Sequence, residues 1–171
     1  MVLSVVSINI GGKMYTQEDY KIPKVKKQVQ VYLNDSSKYS QKFIFFLNER
    51  SRYGDSIEGI EEFLNESNQF IPSIQMMPNH TEVFTILNKN EIYYIVDDSL
   101  LYEKENETGK AASLVLNNGI KLDVSIHKKK PKDQSRILDH LSKKEQFLEF
   151  IIGSSIIYIN RNCISKIVCT D

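Results

Sequence analysis

Two segments of this chain share one residue frame, and this repeat constrains the fold more than any other feature. The first, FLNESNQF, covers residues 63–70, and the second, HLSKKEQF, covers residues 140–147; both hold a leucine, four polar residues and Gln-Phe. Farther along, VFTILNKNEIYYIV (83–96) and SIIYINRNCISKIV (155–168) each place β-strand-forming residues around an Asn-basic-Asn turn. We therefore expect a tandem duplication of one small unit.

A helix-start signal precedes each copy of the frame. In the first copy, Asp55 and Glu58 have the spacing of a capping box, followed by Ile57, Ile60 and Leu64 at helical spacing. In the second copy, Pro131 excludes an earlier start. The corresponding residues there are Asp133 or Ser135 as the cap, followed by Ile137, Leu138 and Leu141. Each unit should therefore contain one short amphipathic helix.

Strand candidates flank each predicted helix, so the fold class we predict is α+β, mainly β. Two strands should precede each helix, and each Asn-basic-Asn segment should form a hairpin after it. The two prolines of IPSIQMMPNHTE (71–82) indicate an irregular insertion. We expect two tandem strand-strand-helix-strand-strand units packed as a pseudo-symmetric pair. The predicted parts are an N-terminal strand and basic arm (1–27), a first β-rich repeat (28–102), a linker (103–110) and a second β-rich repeat (111–171).

The charge balance argues against a chain-wide surface for binding polyanions. The sequence has 22 basic and 22 acidic residues, and 41% of its residues are hydrophobic, as in globular proteins that bury a core. Its apolar opening, MVLSVVSINI, is short, lacks a basic n-region and alternates like a strand. We therefore expect neither a signal peptide nor a membrane span, and we predict a cytoplasmic protein.

The segments VLNNGIKLDVSI and YINRNCISKI resemble the small bent-sheet barrels of the Sm-like group. The run through Arg136, Asp139 and Leu141 also resembles sequences in uncharacterised bacterial proteins rich in tandem β units. The first resemblance implies small β-barrel units that could bind RNA, and the second implies a bacterial origin.

Local clusters of basic residues are the candidate contacts for a nucleic acid or another partner. They lie in the runs KVKK and HKKKPK and in the segment NERSRYGD, where Tyr53 could stack on a base. The candidate residues are Lys24, Lys26, Lys27, Arg50, Arg52, Lys128, Lys129 and Lys130. An alternative interpretation of the lysine runs is a solvated loop.

The sequence contains no motif for metal binding, cofactor binding or catalysis. The histidines at 80, 127 and 140 lack metal-ligand spacing, and neither Cys163 nor Cys169 lies in a C-x-x-C. His140 occupies the position of Phe63 in the frame, so we expect it to pack on the helix face. GGK at residues 11–13 lacks the frame of a phosphate loop and indicates a hairpin turn. We therefore expect no metal, no cofactor and no enzyme activity; catalysis through Asp55, His127 or Asp139 ranks third among the hypotheses.

The leading hypothesis is a non-catalytic interaction, adaptor or regulatory module whose protein partner is unknown, with self-association left open. The alternative is a small RNA-binding protein that uses the Lys/Arg runs. The two hypotheses differ in whether the basic residues converge on one face.

Overall fold

In a computed structural model, the described residues are 8–10, 13–15, 24–34, 39–101, 108–127 and 137–169. Most of them lie in strands, which confirms the predicted mainly β character. The strands are β1 (Ile8–Ile10), β2 (Lys13–Tyr15), β3 (Lys24–Leu33), β4 (Gln41–Asn48), β5 (Phe70–Met76), β6 (Glu82–Asn88), β7 (Ile92–Leu101), β8 (Thr108–Leu116), β9 (Lys121–His127), β10 (Phe147–Ile152), β11 (Ser155–Asn160) and β12 (Ile164–Cys169). Two α-helices, α1 (Ile60–Leu64) and α2 (Ile137–Leu141), and two 3-10 helices, at Lys89–Glu91 and Arg161–Cys163, complete the described elements.

Ten of these strands form one antiparallel sheet, in the order β12-β8-β9-β10-β11-β7-β3-β4-β5-β6. Residues 24–101 make up the N-terminal half of this sheet and residues 108–169 the C-terminal half. In each half the last strand returns to pair with the first, β7 with β3 and β12 with β8. The two halves meet where β11 pairs with β7, and β6 and β12 end the sheet.

The prediction that each Asn-basic-Asn segment forms a hairpin is wrong. Strand β6 pairs with β5, whereas β7 pairs with β3 and β11, so the strands on either side of the turn lie apart in the sheet. The turn is a 3-10 helix, capped where Asn88 Oδ1 accepts the N–H of Asn90, and the Asn160 side chain does the same for Asn162. The capped 3-10 helix thus connects two strands that are not neighbours in the sheet.

The predicted irregular insertion at residues 71–82 is only partly right. Residues 71–76 belong to strand β5, and the irregular part is the turn at residues 77–81, which is longer than the two-residue turn between β10 and β11. Pro72 lies within β5, opposite Ile86 of β6. Strand β4 pairs with β5 only from Ile74 to Met76. Pro72 therefore lies in the part of β5 that has a neighbour on one side. A proline there need not break a hydrogen bond between strands, although it has no backbone N–H.

The predicted capping box of the first helix does not form. Helix α1 begins at Ile60, its N-cap is Gly59, and no side chain caps it. The buried Glu58 carboxylate instead accepts the backbone N–H of Asn48 at 2.7 Å, which ties the loop to the end of β4. Ile60 and Leu64 are buried as the helical spacing predicts, while Ile57 is exposed. The predicted caps of α2, Asp133 and Ser135, lie outside the described residues.

The predicted N-terminal arm is partly a strand, because β3 already begins at Lys24. Strands β1 and β2 pair with Ile10 opposite Lys13, as a hairpin at GGK requires, while Gly11 and Gly12 lie outside the described residues. The remainder of the strand predicted in that region lies outside the described residues. Of the predicted linker, residues 108–110 belong to β8, and residues 103–107 lie outside the described ranges.

The repeated frame has a structural role, which is to bind the repeated turn. The backbone N–H of Lys89 donates to the carbonyl of Gln69 at 3.0 Å, and Arg161 donates to Gln146 at 2.8 Å. The basic side chains make a second equivalent pair of bonds, from Lys89 Nζ to the Glu66 carbonyl at 2.9 Å and from the Arg161 guanidinium to the Lys143 carbonyl. The loop after each helix is thereby fixed to the turn before the last strand.

Candidate functional site

The junction between the two halves is a β-ladder that joins β11 to β7. Ile157 lies opposite Val96, and Tyr158 lies opposite Ile95. At one end, the buried Asn160 amide donates to the carbonyls of Lys89 at 3.2 Å and Ile92 at 3.0 Å. The turn of the C-terminal half is thereby bonded to the turn of the N-terminal half.

Side chains of the C-terminal half complete the core of the N-terminal half at this junction. Phe147 and Tyr158 belong to the same buried cluster as Phe45 and Leu64, and Ile156 packs against it. The cluster also contains Val29, Val31, Phe43, Leu47, Ile60, Ile71, Leu87, Ile92 and Ile95.

The Asn65 side chain adds two hydrogen bonds to the contact between the two halves. Its amide donates to the Phe147 carbonyl at 2.9 Å, and its carbonyl accepts the Phe147 N–H at 2.9 Å. Asn65 follows α1 directly, so the end of this helix is anchored to the first residue of β10.

The equivalent side chains of the N-terminal half are exposed to solvent. By the alignment of the repeated segments, Phe70 corresponds to Phe147, and Ile86 to Tyr158. Phe70 is 55% exposed and Ile86 60% exposed, whereas Phe147 and Tyr158 are 0% and 3% exposed. Phe84, which corresponds to the partly buried Ile156, is 67% exposed. We call Phe70, Phe84 and Ile86 the apolar row.

Within the described residues, the apolar row lies at an open edge of the sheet, with Phe84 and Ile86 on β6 and Phe70 on its neighbour β5. Strand β6 pairs with β5, and the strand order ends with it. Phe84 and Ile86 are two residues apart and thus point to one side, away from the core that buries Leu87. At the opposite end of the sheet β12 is also a terminal strand, with Val168 partly exposed.

A small cavity of about 150 Å³ lies beside the apolar row. Phe46, Phe63 and Phe70 supply aromatic walls, and Lys24 and Glu66 lie at the charged side. This cavity extends the exposed apolar surface from the edge strand toward α1.

A larger cleft of about 470 Å³ lies between α1 and strands β10 and β11. Its lining includes Arg52, Tyr53, Gly59, Ile60, Glu61, Glu62, Asn65, Glu66, Lys143, Glu145, Glu149 and Tyr158. Burial raises the pKa of the Tyr158 hydroxyl well above its usual value, and the charges of Glu149 and Asp97 add to this. Tyr158 is therefore a neutral phenol at physiological pH.

Three carboxylates of this cleft, those of Glu61, Glu62 and Glu66, are paired within the protein. Burial would raise the pKa of Glu62, but hydrogen bonds from the Ser51 hydroxyl and the Arg52 backbone N–H, with the charge of Arg52, lower it below its usual value. Glu66 pairs with the Arg52 guanidinium, and Glu61 with Lys143 at 3.6 Å.

The structure does not place all the predicted basic residues on an open face. Lys24, Lys26, Arg50 and Arg52 are exposed, but Lys24 Nζ donates to Asn48 Oδ1 at 2.6 Å and Arg52 pairs with Glu66. Lys27 points to the other face of β3, where its Nζ lies 2.9 Å from a carboxylate oxygen of the fully buried Asp97. Lys27 is therefore held in an ion pair with a buried carboxylate, although its own side chain is 24% exposed. Lys128, Lys129 and Lys130 lie outside the described residues.

The titratable residues that the sequence raised for chemistry have structural surroundings. His140 is buried, as the sequence predicts for a helix-face packing residue, with its Nε2 2.7 Å from the Glu149 carbonyl and its ring edge-on to Phe150. Burial raises the pKa of the Cys163 thiol, and the charge of Glu91 adds to this. Among the residues that the structure describes, no group of three or more His, Cys, Asp or Glu side chains could hold a metal ion.

Comparison with known proteins gives no relative. No protein-family model matches the chain, and neither a search of curated proteins nor a search of solved structures finds a match. The resemblance to the Sm-like group therefore stays a prediction. No helix within the described ranges is long and apolar enough to cross a membrane.

Sequence reasoning missed the apolar row. Phe70 and Phe147 occupy the same place in the frame, and both copies of the turn segment carry similar apolar residues, so both copies look like core. The sequence signal that could have revealed it is the duplication itself. If two copies of one unit are joined side by side by a single pair of strands, each copy still has one terminal strand without a neighbour, and the residues on that strand can be exposed.

Proposed function

We propose that this protein is a non-catalytic interaction module in which two tandem units pack as a pseudo-symmetric pair, and that it binds a protein partner through β6. The observation that carries the proposal is the apolar row on an open sheet edge. The same element order in the two halves supports the tandem arrangement. A cytoplasmic, bacterial setting stays a prediction from the sequence.

It is unusual for a terminal strand of a sheet to leave large apolar side chains exposed beside its unpaired edge. Proteins normally protect such edges with charges, prolines or bulges, because unpaired N–H and C=O groups can pair with another chain. Strand β6, EVFTILN, has one charged residue, Glu82, at its start. Addition of a partner strand would satisfy the backbone groups, and the apolar row would supply the buried contact area.

The paired carboxylates of the cleft support a role without catalysis. A general acid needs a pKa raised toward neutrality, whereas the pKa of Glu62 is lowered. Glu61 and Glu66 are held in ion pairs. Asp55 and Asp139, two residues of the catalytic hypothesis, are exposed, and the side chain of the third, His127, lies outside the described residues.

RNA binding remains the alternative function, with narrower support. Lys24, Lys26 and Arg50 are exposed near one end of the β3–β4 pair, where Lys24 lies opposite Asn48. Lys27 is paired with the buried Asp97 carboxylate, and Arg52 is bound to Glu66. A few exposed cations bind RNA weakly, in a manner that salt of about 200 mM abolishes.

The test is site-specific photo-cross-linking of the full chain in the cells that produce it. A photoreactive phenylalanine analogue replaces Phe84 on the apolar row or, as the control, Ile57, which is also exposed but lies before α1. We expect adducts with protein from position 84 and few from position 57. Equal yields at the two positions, or adducts with RNA at position 84, would contradict the proposal.

A further inference from the structure

We infer that the partner of the β6 edge is a second copy of this chain, which pairs its own β12 edge antiparallel with β6. This inference rests on the proposed function and names the partner. The chain already contains one such contact, since β11 of the C-terminal half pairs with β7 of the N-terminal half. Strand β6 occupies the place of β11 in its half, and β12 occupies the place of β7.

The side chains of β10 and β11 at the internal junction and their counterparts on β5 and β6 support this equivalence. Phe147, Ile156 and Tyr158 point away from the core of their own half and pack into the neighbouring half. Their counterparts Phe70, Phe84 and Ile86 point the same way but are exposed. In contrast, Leu87 is buried like its counterpart Ile159, because both face their own core. Among these matched positions, exposure therefore coincides with the positions that a junction would cover.

A polar residue of the junction also has its counterpart on the open edge. Asn160 uses its side-chain oxygen to cap its 3-10 helix and its amide to reach two carbonyls of the other half. Asn88 caps its own 3-10 helix in the same way. In a second copy, the carbonyls equivalent to those of Lys89 and Ile92 belong to Arg161 and Ile164. The Asn88 amide would therefore find two acceptors at the start of β12.

The internal ladder also fixes the register of the contact between chains. Ile156 lies opposite Asp97 and Tyr158 lies opposite Ile95. The equivalent pairs are residue 84 with residue 169 of the second copy, and residue 86 with residue 167. Because the two edges that meet are different, the contact is head-to-tail, and it leads to rings or open chains and not to a two-fold dimer.

The contact between chains should be weaker than the internal junction. Asn65 holds Phe147 with a donor and an acceptor, but its counterpart in the C-terminal half is Ser142. A hydroxyl cannot reproduce the two-armed contact of an amide. In the internal junction β11 pairs with a strand that carries Tyr94, which is buried and stacked on Tyr32. The corresponding residue of β12 is Lys166, which is exposed and offers less apolar contact. Association should therefore be reversible and dependent on protein concentration.

Sedimentation velocity of the purified full chain between about 1 and 200 μM tests whether the apolar row mediates association, a range that covers micromolar affinities. We expect the wild-type protein to associate as concentration rises. The double variant Phe84→Glu/Ile86→Glu should remain monomeric, and Ile57→Glu should behave as the wild type does. A wild-type monomer throughout, or equal loss in Ile57→Glu, would overturn the inference. Far-ultraviolet circular dichroism and thermal unfolding check that each variant is folded.

A disulfide trap tests the register. In the proposed contact residue 84 lies opposite Cys169, so mild oxidation of Phe84→Cys should yield a ladder of covalent dimers, trimers and longer chains. Phe84→Cys/Cys169→Ser should yield no ladder. Because the remaining cysteine, Cys163, is buried, dimers that survive in the double variant would come from 84–84 bonds, and they would overturn the head-to-tail arrangement.

The failure of this inference can be told apart from the failure of the proposed function. If photo-cross-linking from position 84 gives a different protein, and the purified chain stays monomeric, the edge binds a partner but not a second copy. If position 84 gives no specific adduct and the chain stays monomeric, both are wrong. Adducts of the chain with itself near residues 166–169 support both.

Discussion

The two halves of the sheet contain the same elements in the same order, yet they differ in what covers one face. In the C-terminal half Phe147 and Tyr158 are buried against the neighbouring half, whereas Phe70 and Ile86 in the N-terminal half are exposed. The residue frame determines the local contacts of its own half, such as the bond from the basic turn residue to the loop after the helix. Burial of the outward face depends on the neighbour.

The halves also differ in the charges they bury. The N-terminal half buries Asp97 next to Lys27, and the counterpart of Asp97 in the sequence is Cys169. It also buries Lys89, whose pKa is lowered by burial although the charge of Glu66 opposes this. In the C-terminal half the residue at that place is the partly exposed Arg161. Among the described residues, the N-terminal half therefore buries more charged side chains, each at a desolvation cost.

Truncation of the two frame phenylalanines should give the largest difference between the halves. We expect Phe147→Ala to lower the free energy of unfolding by about 3–5 kcal/mol, because it opens a cavity in the junction. Phe70→Ala should lower it by less than about 0.5 kcal/mol, since that side chain is exposed. Urea unfolding at low protein concentration measures both. Similar losses for the two variants would mean that the halves are covered alike.

Lys26 and Lys27 are neighbours on β3, and replacing each of them tests how much the buried charge of the N-terminal half contributes to stability. Lys27→Ala should cost about 3 kcal/mol of stability, because it leaves the buried Asp97 carboxylate without its cation. Lys26→Ala, one residue away on the exposed face, should cost less than about 0.5 kcal/mol. Thermal unfolding of the two variants compares them. A loss below about 1 kcal/mol for Lys27→Ala would show that the buried Asp97 carboxylate does not need this cation.

Alkaline pH should weaken the covered face in a way that depends on Tyr158. Burial raises its pKa in the folded protein, so the stability it contributes is complete below the unfolded value of about 10 and is lost as pH rises above it. Tyr158→Phe should make the decline in unfolding free energy above about pH 10 shallower by up to about 1.4 kcal/mol per pH unit. Ile86, the counterpart, has no titrating group. An unchanged slope would show that Tyr158 ionises freely in the folded state.

The sequence predicted the local features and failed where a strand's neighbours decide the outcome. The presence of a short helix before each frame, the buried pair Ile60 and Leu64 and the packing role of His140 follow from short-range spacing, and the structure confirms them. The predicted start of the first helix at Asp55 is wrong. The hairpins predicted at Lys89 and Arg161 are wrong, because an Asn-capped 3-10 helix looks like a tight turn in sequence. The predicted strand-strand-helix-strand-strand order is also wrong, because each half has three strands after its helix: β5 and β10 were missed. In β5, Pro72 suggested a break, although prolines are tolerated where a strand lacks a second neighbour.

The candidate site shows the same limit. Lys27 belonged to a basic run in sequence, but alternation along β3 turns it toward Asp97, which comes from a strand far along the chain. The apolar row could not be told from core, because its residues match buried ones in the other copy. Pairing between distant strands decides both cases, and no local pattern encodes it.

Amide hydrogen exchange of the full chain, followed by mass spectrometry on peptides that cover β6 (82–88) and β11 (155–160), tests the comparison most directly. The two segments are counterparts, but β11 has neighbours on both sides and β6 on one. At low micromolar protein we expect β11 to be protected throughout, and about half of the β6 amides, those that point away from β5, to exchange fast. Protection of β6 should rise with protein concentration, while that of β11 should not change. Equal protection of the two segments in dilute protein would contradict the account.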